Sequence, residues 1–242
     1  MEQEEVVMVE HKQVKALSYG AGVDSTAILA LIKLGKLEGI ECAVFADTGA
    51  EQPETYAYLE YIKLLSPIPI ITISAKQGSL LKFCEERKIL PSRAFRWCTD
   101  KWKHRPLAKY AKEHDIGEWV IGIDAGEEKR VLRWKSKEGF SFPLINMGFD
   151  REACQAVILD AGWKLPIKSG CVFCPFTRMG EWGRLAREHP ERFKEVCIME
   201  MEALKTRPHL KGLFGSRPLA EMVARKFPDT VEGQQCIYCE VD

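Results

Sequence analysis

The feature that most constrains this chain is an alternation. Through the first half, apolar runs of strand length give way repeatedly to stretches with helical spacing. "VKALSY" (Val14–Tyr19) reads as a buried strand, and residues 23–34 as a helix with Ile28, Leu31 and Ile32 on one face. "IECAVFAD" is a second strand, after which Pro53 opens a helix to about residue 65. "IPIITIS" is a third strand, followed by a helix over residues 79–88. "TDKWKHRPLAKYAKEH" reads as a helix despite Pro106, and "EWVIGID" as a fourth strand. Strands alternating with helices predict an α/β fold, a doubly wound parallel sheet covered on both faces.

After the fourth strand the pattern changes. Residues 126–139 dissolve into charge, which predicts a mobile loop over whatever site the sheet carries. Beyond Asp150 the pattern is helical only, interrupted by "SGCVFCPF" and ending in "CIYCEVD". We therefore expect an α/β domain over residues 1–145 and a helical, cysteine-bearing region over 146–242. At 46% hydrophobic and 29% charged residues the composition is that of a globular chain able to bury a real core. The 35 basic and 35 acidic residues cancel, so no whole-molecule field draws the protein to nucleic acid or membrane, although local patches remain open to it. The acidic start, "MEQEEVVMVEHKQ", lacks the basic end and apolar core of a signal peptide, and no apolar run approaches the roughly 20 residues of a membrane span. A soluble, cytoplasmic protein with no membrane partner is expected. Nine cysteines in that compartment argue for metal or redox chemistry rather than a disulfide framework.

In open parallel sheets, ligands collect at the carboxyl ends of strands. Four polar clusters fall at or between such ends: "SYGAGVDSTAIL", "FADTGAEQPET", "GIDAGEEKR" and "RWCTDKWKHRPL". In the first, glycines would let backbone N–H groups approach phosphate oxygens, and the following helix presents its positive end to an anion. Ser25 and Thr26 stand at the first helical positions, where their hydroxyls could bond an oxyanion; Asp24 or Ser25 acting as a plain N-cap is the simpler alternative. No Gly-Lys-Ser/Thr follows, so this is not a Walker loop.

Taken together these segments carry a family resemblance. "SYGAGVDSTAIL" resembles the Ser-Gly-Gly-x-Asp-Ser pyrophosphatase loop (PP-loop) of the adenine nucleotide alpha-hydrolase superfamily. "FADTGAEQPETYAYL" resembles the Asp-Thr-Gly…Pro-Glu-Thr segment of its phosphoadenosine phosphosulfate (PAPS) reductase branch, and "RWCTDKWKHRPL", "GIDAGEEKR" and "FPLINM" follow in the same order. One departure is clear: Gly20 and Ala21 stand where that loop has Ser and its first Gly. The resemblance implies an adenine nucleotide site, with ATP and Mg²⁺ as one form of it. Ser18, Gly20, Gly22, Asp24, Ser25 and Thr26 would hold phosphates, and Asp47, Thr48 and Gly122 would lie near the nucleotide. Lys103, Arg105 and Arg130 are candidates for neutralising phosphate charge, with a solvated basic helix face as their alternative. Asp24 and Lys103 are the candidate catalytic residues.

Cys171-Val-Phe-Cys174 has the spacing that turns two thiolates toward one metal. Cys236 and Cys239 form a second pair, farther away in the chain than the roughly 15–20 residue gap of a compact zinc motif. Zinc remains an alternative. Assimilatory adenylylsulfate reductases in the resembled branch bind a 4Fe-4S cluster with a Cys-Cys pair at the segment matching "RWCT" and a later CxxC. Here only Cys98 of the first pair is present. Relatives implicated in DNA phosphorothioation share a similar "GCxxCP" helix start. The ligands this implies are Cys98, Cys171, Cys174 and Cys239, with Cys236 as the alternate fourth. Cys42, Cys84, Cys154 and Cys197 lie in apolar patterns and are expected in the core. Trp182, Leu185, Phe193, Val196 and Met199 read as a packing stripe. Trp97 and Trp102, beside Cys98, could stack on a base or wall the cysteine from water.

The resembled scaffold hosts two reactions. Sulfonucleotide reductases attack with a cysteine in a C-terminal Glu-Cys-Gly-(Leu/Ile)-His segment, and this chain has none. The other class splits ATP to AMP and pyrophosphate to activate an acceptor, which sulfur then attacks. The expected function is ATP-dependent sulfur transfer to a nucleic acid or nucleobase, with a sulfur donor such as a cysteine desulfurase. Basic residues between Arg87 and Lys112 could steer a polyanion. Sulfonucleotide reduction is the alternative, and a non-catalytic nucleotide-binding subunit of a modification or defence complex, with a structural metal, is the second.

Overall fold

The computed structural model describes residues 13–133, 138–215 and 217–228; Cys236 and Cys239 lie outside them. Its five strands are β1 (Val14–Tyr19), β2 (Cys42–Asp47), β3 (Ile70–Ser74), β4 (Ile116–Ile121) and β5 (Phe140–Ser141). They form one sheet in the order β3-β2-β1-β4-β5, with every pairing parallel. The helices of the first half are α1 (Val23–Lys33), α2 (Pro53–Lys63), α3 (Leu80–Arg87), α4 (Trp97–Thr99) and α5 (Arg105–Glu113). Those that follow are α6 (Pro143–Asn146), α7 (Arg151–Asp160), α8 (Met179–Glu188), α9 (Pro190–Thr206) and α10 (Leu219–Lys226). The α/β, all-parallel architecture is the one the alternation required.

The period of two along the strands sorts their side chains between two cores. Leu17, Tyr19, Ala43, Phe45 and Val120 face α1 and α7, where they meet Ile28, Leu31, Val157 and Ile158. Ala16, Cys42 and Val44 face the other way, onto Leu107 and Tyr110 of α5. The middle of α1, Ala27 to Leu31, is buried all round because the sheet lies under it and α7 over it. Each fully buried Leu or Ile there contributes about 1.5–3 kcal/mol of transfer free energy, so a charge at Ile28 would break this layer.

A third core belongs to the helices after residue 170. Trp182, Phe193 and Val196 pack with Leu80 and Cys84 of α3 and with Trp102, so packing runs continuously across residue 146. The expected stripe of Trp182, Leu185, Phe193, Val196 and Met199 is buried throughout, as are Cys42, Cys84, Cys154 and Cys197. Among the described residues no helix is long and apolar enough to cross a membrane.

Two local expectations need correction. The helix expected over "TDKWKHRPLAKYAKEH" is interrupted by a π-helical turn over Asp100–His104 between α4 and α5. Pro106 thereby falls at the start of α5, where its missing N–H costs little. Of the charged stretch expected as a mobile loop over residues 126–139, the part to Arg133 belongs to a 3-10 helix, Ala125–Arg133, residues 134–137 lie outside the described residues, and Phe140 and Ser141 form β5, paired with Trp119 and Val120. A strand of two residues leaves no readable period, and a charged 3-10 helix lacks an apolar stripe.

Candidate nucleotide and cysteine sites

The sheet order places the topological switch between β1 and β4, since the chain steps outward from β1 to β3 and then crosses over to β4. Crevices outside the carboxyl ends of such neighbouring strands are where open α/β sheets bind ligands. A cleft of about 1060 Å³ opens there, lined by Ser18, Ile121, Gly122, Lys129 and Arg130 among others.

The loop between β1 and α1 is shaped by its backbone. Ala21 takes a left-handed conformation at φ 54, and Gly22 is an extended N-cap with no side-chain cap bond. Neither Asp24 nor Ser25 acts as the cap. Ser25 instead ties the loop to the helix: its hydroxyl donates to the Gly22 carbonyl and accepts from the Gly20 N–H, both at 3.3 Å. The first helical hydrogen bond runs from Thr26 N to Gly22 O at 3.0 Å, so the amides of Val23, Asp24 and Ser25 lie at the positive end of α1. The Thr26 side chain is fully buried and its hydroxyl meets that of Tyr19 at 3.2 Å, so it serves packing rather than a phosphate. Gly122, at the end of β4, is pressed against this helix start: a Cβ there would lie 2.6 Å from Ser25 N.

Asp24 points to a second acidic element. Its carboxylate, that of Asp124 and that of Glu127 lie within 4.8 Å of one another, and Arg151 donates to Asp24 Oδ1 at 2.7 Å. Burial pushes the Asp24 pKa up; Arg151 opposes the rise, while Asp124 and Glu127 add to it. Three carboxylates crowded beside a phosphate-sized loop form a hard oxygen donor set of the kind Mg²⁺ takes together with phosphate. Arg130 pairs with Glu127 at the edge of the cleft. Arg105 is 69% exposed and pairs with Asp100 at 2.7 Å, which is the solvated-face arrangement.

At the end of β2 the Asp-Thr-Gly turn does two things. Asp47 Oδ1 accepts from Gly49 N and from the Tyr56 hydroxyl, both at 2.8 Å. Gly49 sits at φ +66 with Ser79 Cα only 2.9 Å from where a Cβ would be, so glycine is required there. Thr48 is then held inward. Its hydroxyl donates to Glu51 Oε1 at 3.0 Å and lies 3.3 Å from Cys171 Sγ. Glu51, whose side chain is 1% exposed, is neutralised by Lys103 at 3.2 Å. Lys103 projects from the π-helical turn, so the irregularity that accommodates Pro106 also aims this ammonium at the cysteines. Burial would lower the Lys103 pKa, but the negative charge of Glu51 and its hydrogen bond outweigh it and hold the ammonium charged.

Cys171 and Cys174 sit on consecutive turns, with Cys174 N donating to Cys171 O at 3.1 Å, and Glu51 bridges to Cys171 as an isolated β-pair. Cys98 lies close enough to raise the pKa of Cys174 electrostatically. Burial, then Glu51, raises the Cys171 pKa against the pull of Lys103, and burial raises that of Cys174. Both are protonated thiols at neutral pH unless a metal displaces their protons. Three of the four expected ligands are therefore brought together, and Cys239 falls outside the described residues. Among the described residues the groups tight enough for one ion are Asp24–Asp124–Glu127 and Glu54–Glu188–His189. The Glu54 group is an ion-pair clamp: Glu54 accepts from Arg184 and from His189 Nε2 and so joins α2 to α8.

Residues 15–147 match the model of the phosphoadenosine phosphosulfate reductase domain. The chain belongs to that family. A crystal structure of phosphoadenylyl-sulfate (PAPS) reductase from Candida auris, a phosphate complex, superposes with a TM-score of 0.50 at 16% identity, covering 65% of this chain and 81% of that one, and so shares its fold. Two uncharacterized proteins of Methanocaldococcus jannaschii are similar as well. One is 28% identical, covering 74% of this chain and 40% of the relative; the other is 24% identical, covering 74% and 45%. The chain thus spans less than half the length of these curated relatives.

Sequence reasoning missed four residues that complete these sites. Glu51, Asp124 and Glu127 lie inside segments it had singled out, and an acid next to a strand end was the available signal. Arg151 opens α7, and no local signal marks it as the partner of Asp24.

Proposed function

We propose that this family member is an ATP-using, iron–sulfur-dependent sulfur-transfer enzyme whose acceptor is a nucleic acid or nucleobase. The observation that carries the reading is the continuous contact from Thr48 through Glu51 to Lys103 and Cys171. It joins the cysteine pocket to the end of β2, beside the strand ends that frame the nucleotide crevice, as chemistry between an activated acceptor and sulfur requires. In this reading the amides of Val23, Asp24 and Ser25 and the side chains of Ser18 and Arg130 bind the phosphates. Asp24, Asp124 and Glu127 hold Mg²⁺ on the departing pyrophosphate. An acceptor oxygen attacks the α-phosphorus, the bond to pyrophosphate breaks, and sulfur then displaces AMP. Cys98, Cys171 and Cys174, with Cys239 or Cys236, would hold a 4Fe-4S cluster, which when bound supplies a site for activating sulfur. Lys103 keeps positive charge against those sulfurs. A cysteine desulfurase is a fitting sulfur source.

Sulfonucleotide reduction is the second reading, favoured by the family and the shared fold and opposed by the missing Glu-Cys-Gly-(Leu/Ile)-His segment. The two separate in one assay. Anaerobic protein given ATP labelled at the α-phosphate, a single-stranded RNA or DNA pool and a sulfide source should form AMP and pyrophosphate in step with thiolated acceptor. Sulfite release from PAPS or adenylylsulfate, without ATP cleavage, would overturn the proposal.

A further inference from the structure

A second cleft, of about 1130 Å³, lies beside the cysteine segment, between residues 83–101 and 207–215. Its wall contains Arg87, Arg93, Lys101, Arg207 and Lys211 and no acidic residue, in a chain whose total charge is zero. None of these five cations is paired with a carboxylate among the described residues. Four of them rest instead on aromatic rings or carbonyls, Arg207 reaching Arg87 O at 3.4 Å. Arg87 stacks on Phe83 at 4.8 Å, Lys101 lies over Phe83 and Trp97, and Arg93 Nε donates to Pro175 O at 2.6 Å. Cations left without counterions around a concave surface are a standing site for an anionic ligand.

The aromatics specify which anion. Phe95 is 82% exposed, an unusual position for a large apolar side chain with so many charged neighbours, and it lines both this cleft and the nucleotide crevice. Trp97 forms part of the wall, whereas Trp102 is fully buried with its indole N–H on Gly78 O, so of the two tryptophans Trp97 alone is placed to meet a base. Trp97 is followed directly by Cys98, and Pro175 directly follows Cys174. Alternating cations and aromatic faces in a groove are how proteins hold single-stranded nucleic acid: phosphates meet Lys and Arg, and unstacked bases lie on rings. Glu200 fixes the far wall, accepting from Leu213 N at 2.7 Å and Leu219 N at 2.5 Å, so the groove is built rather than incidental.

We infer that this groove binds a single strand of RNA or DNA and delivers it past Phe95 toward the cysteines and the nucleotide crevice. The inference rests on the sulfur-transfer reading only for what is done to the strand; binding is a separate property. The test is fluorescence anisotropy with labelled 12-residue single-stranded RNA and DNA, the matching duplex, and poly-glutamate, using the anaerobic full chain without ATP. Single strands should bind more tightly than duplex or poly-glutamate. Phe95→Ala, which removes a side chain left 82% exposed, should weaken binding about fivefold or more, as loss of one stacked base does. Replacing Arg207 and Lys211 with Gln should lower the slope of log affinity against log salt by about 1.4, two charges at roughly 0.7 each. The RNA and DNA arms identify the natural strand. Equal binding of poly-glutamate, tighter binding of duplex, or indifference to Phe95→Ala would overturn the groove. ATP cleavage is scored separately, so strand binding without turnover would refute the reaction and leave the groove standing.

Discussion

Replacing Gly122 with alanine puts a methyl group into space that the start of α1 already fills. On the observed backbone the new Cβ would lie 2.6 Å from Ser25 N, 2.8 Å from Ser25 Cα and 2.9 Å from the Asp24 carbonyl carbon. These are main-chain atoms at a helix start, so they cannot swing aside as a flexible side chain does. Either α1 moves or the end of β4 bends. Overpacking of this kind costs about 1–3 kcal/mol, which for a chain of this size lowers Tm by roughly 2–12 °C. The same shift displaces the amides assigned to phosphate, so affinity for a non-hydrolysable ATP analogue should fall as well. Gly20→Ala is the matched control, because nothing lies within 4 Å of its would-be Cβ. Its Tm should stay near the parent value while nucleotide affinity falls, since a methyl group there covers the loop. Thermal melts by circular dichroism and calorimetric titration read both quantities. A Gly122→Ala protein with parental Tm and affinity would refute the close approach of β4 to the loop, and with it the assigned site.

Other perturbations have worked-out directions. Gly49→Ala combines a left-handed φ with a main-chain clash at Ser79 and should cost about 2 kcal/mol or more, read as a lowered urea midpoint. Glu51→Gln keeps an acceptor for Thr48 but leaves the Lys103 ammonium unpaired, which should destabilise the apo protein by about 1–3 kcal/mol at neutral pH; an unchanged midpoint would contradict the pairing. Burial would raise the Glu54 pKa, but hydrogen bonds from its own amide, Arg184 and His189 hold it below the usual carboxylate value. The stability it supplies is therefore present above the unfolded value, about 4.3, and lost as pH falls through the folded one. The difference in unfolding free energy between the parent and Glu54→Gln should shrink on acidification, and a constant difference would contradict the clamp.

Four of the five strands were legible in the sequence because they are apolar runs of strand length, and the helices after the first two strands begin at recognisable glycine and proline signals; β5, two residues long, left no signal. The crevice followed from topology, and the Asp-Thr-Gly turn from its place at a strand end and its family resemblance; the structure adds that packing against Ser79 demands the glycine. What stayed hidden depends on partners distant in the chain. Arg151 reaches Asp24 across 127 positions, and Thr48 meets Cys171 across 123. The π-helical turn that aims Lys103 was hidden too, because a widened turn leaves the helical spacing of apolar residues almost unchanged. Thr26 illustrates the converse: a hydroxyl in the right local position is spent on Tyr19 once the core closes.

The most direct test of the central claim is the metal content of the chain purified without oxygen, measured as iron, acid-labile sulfide and zinc per protein. The proposed cluster predicts about four irons and four sulfides with a broad visible band, and loss of both in Cys98→Ser, Cys171→Ser and Cys174→Ser. A colourless protein carrying one zinc and no sulfide would contradict it, making the cysteines a structural clamp and removing sulfur transfer through a cluster from the account.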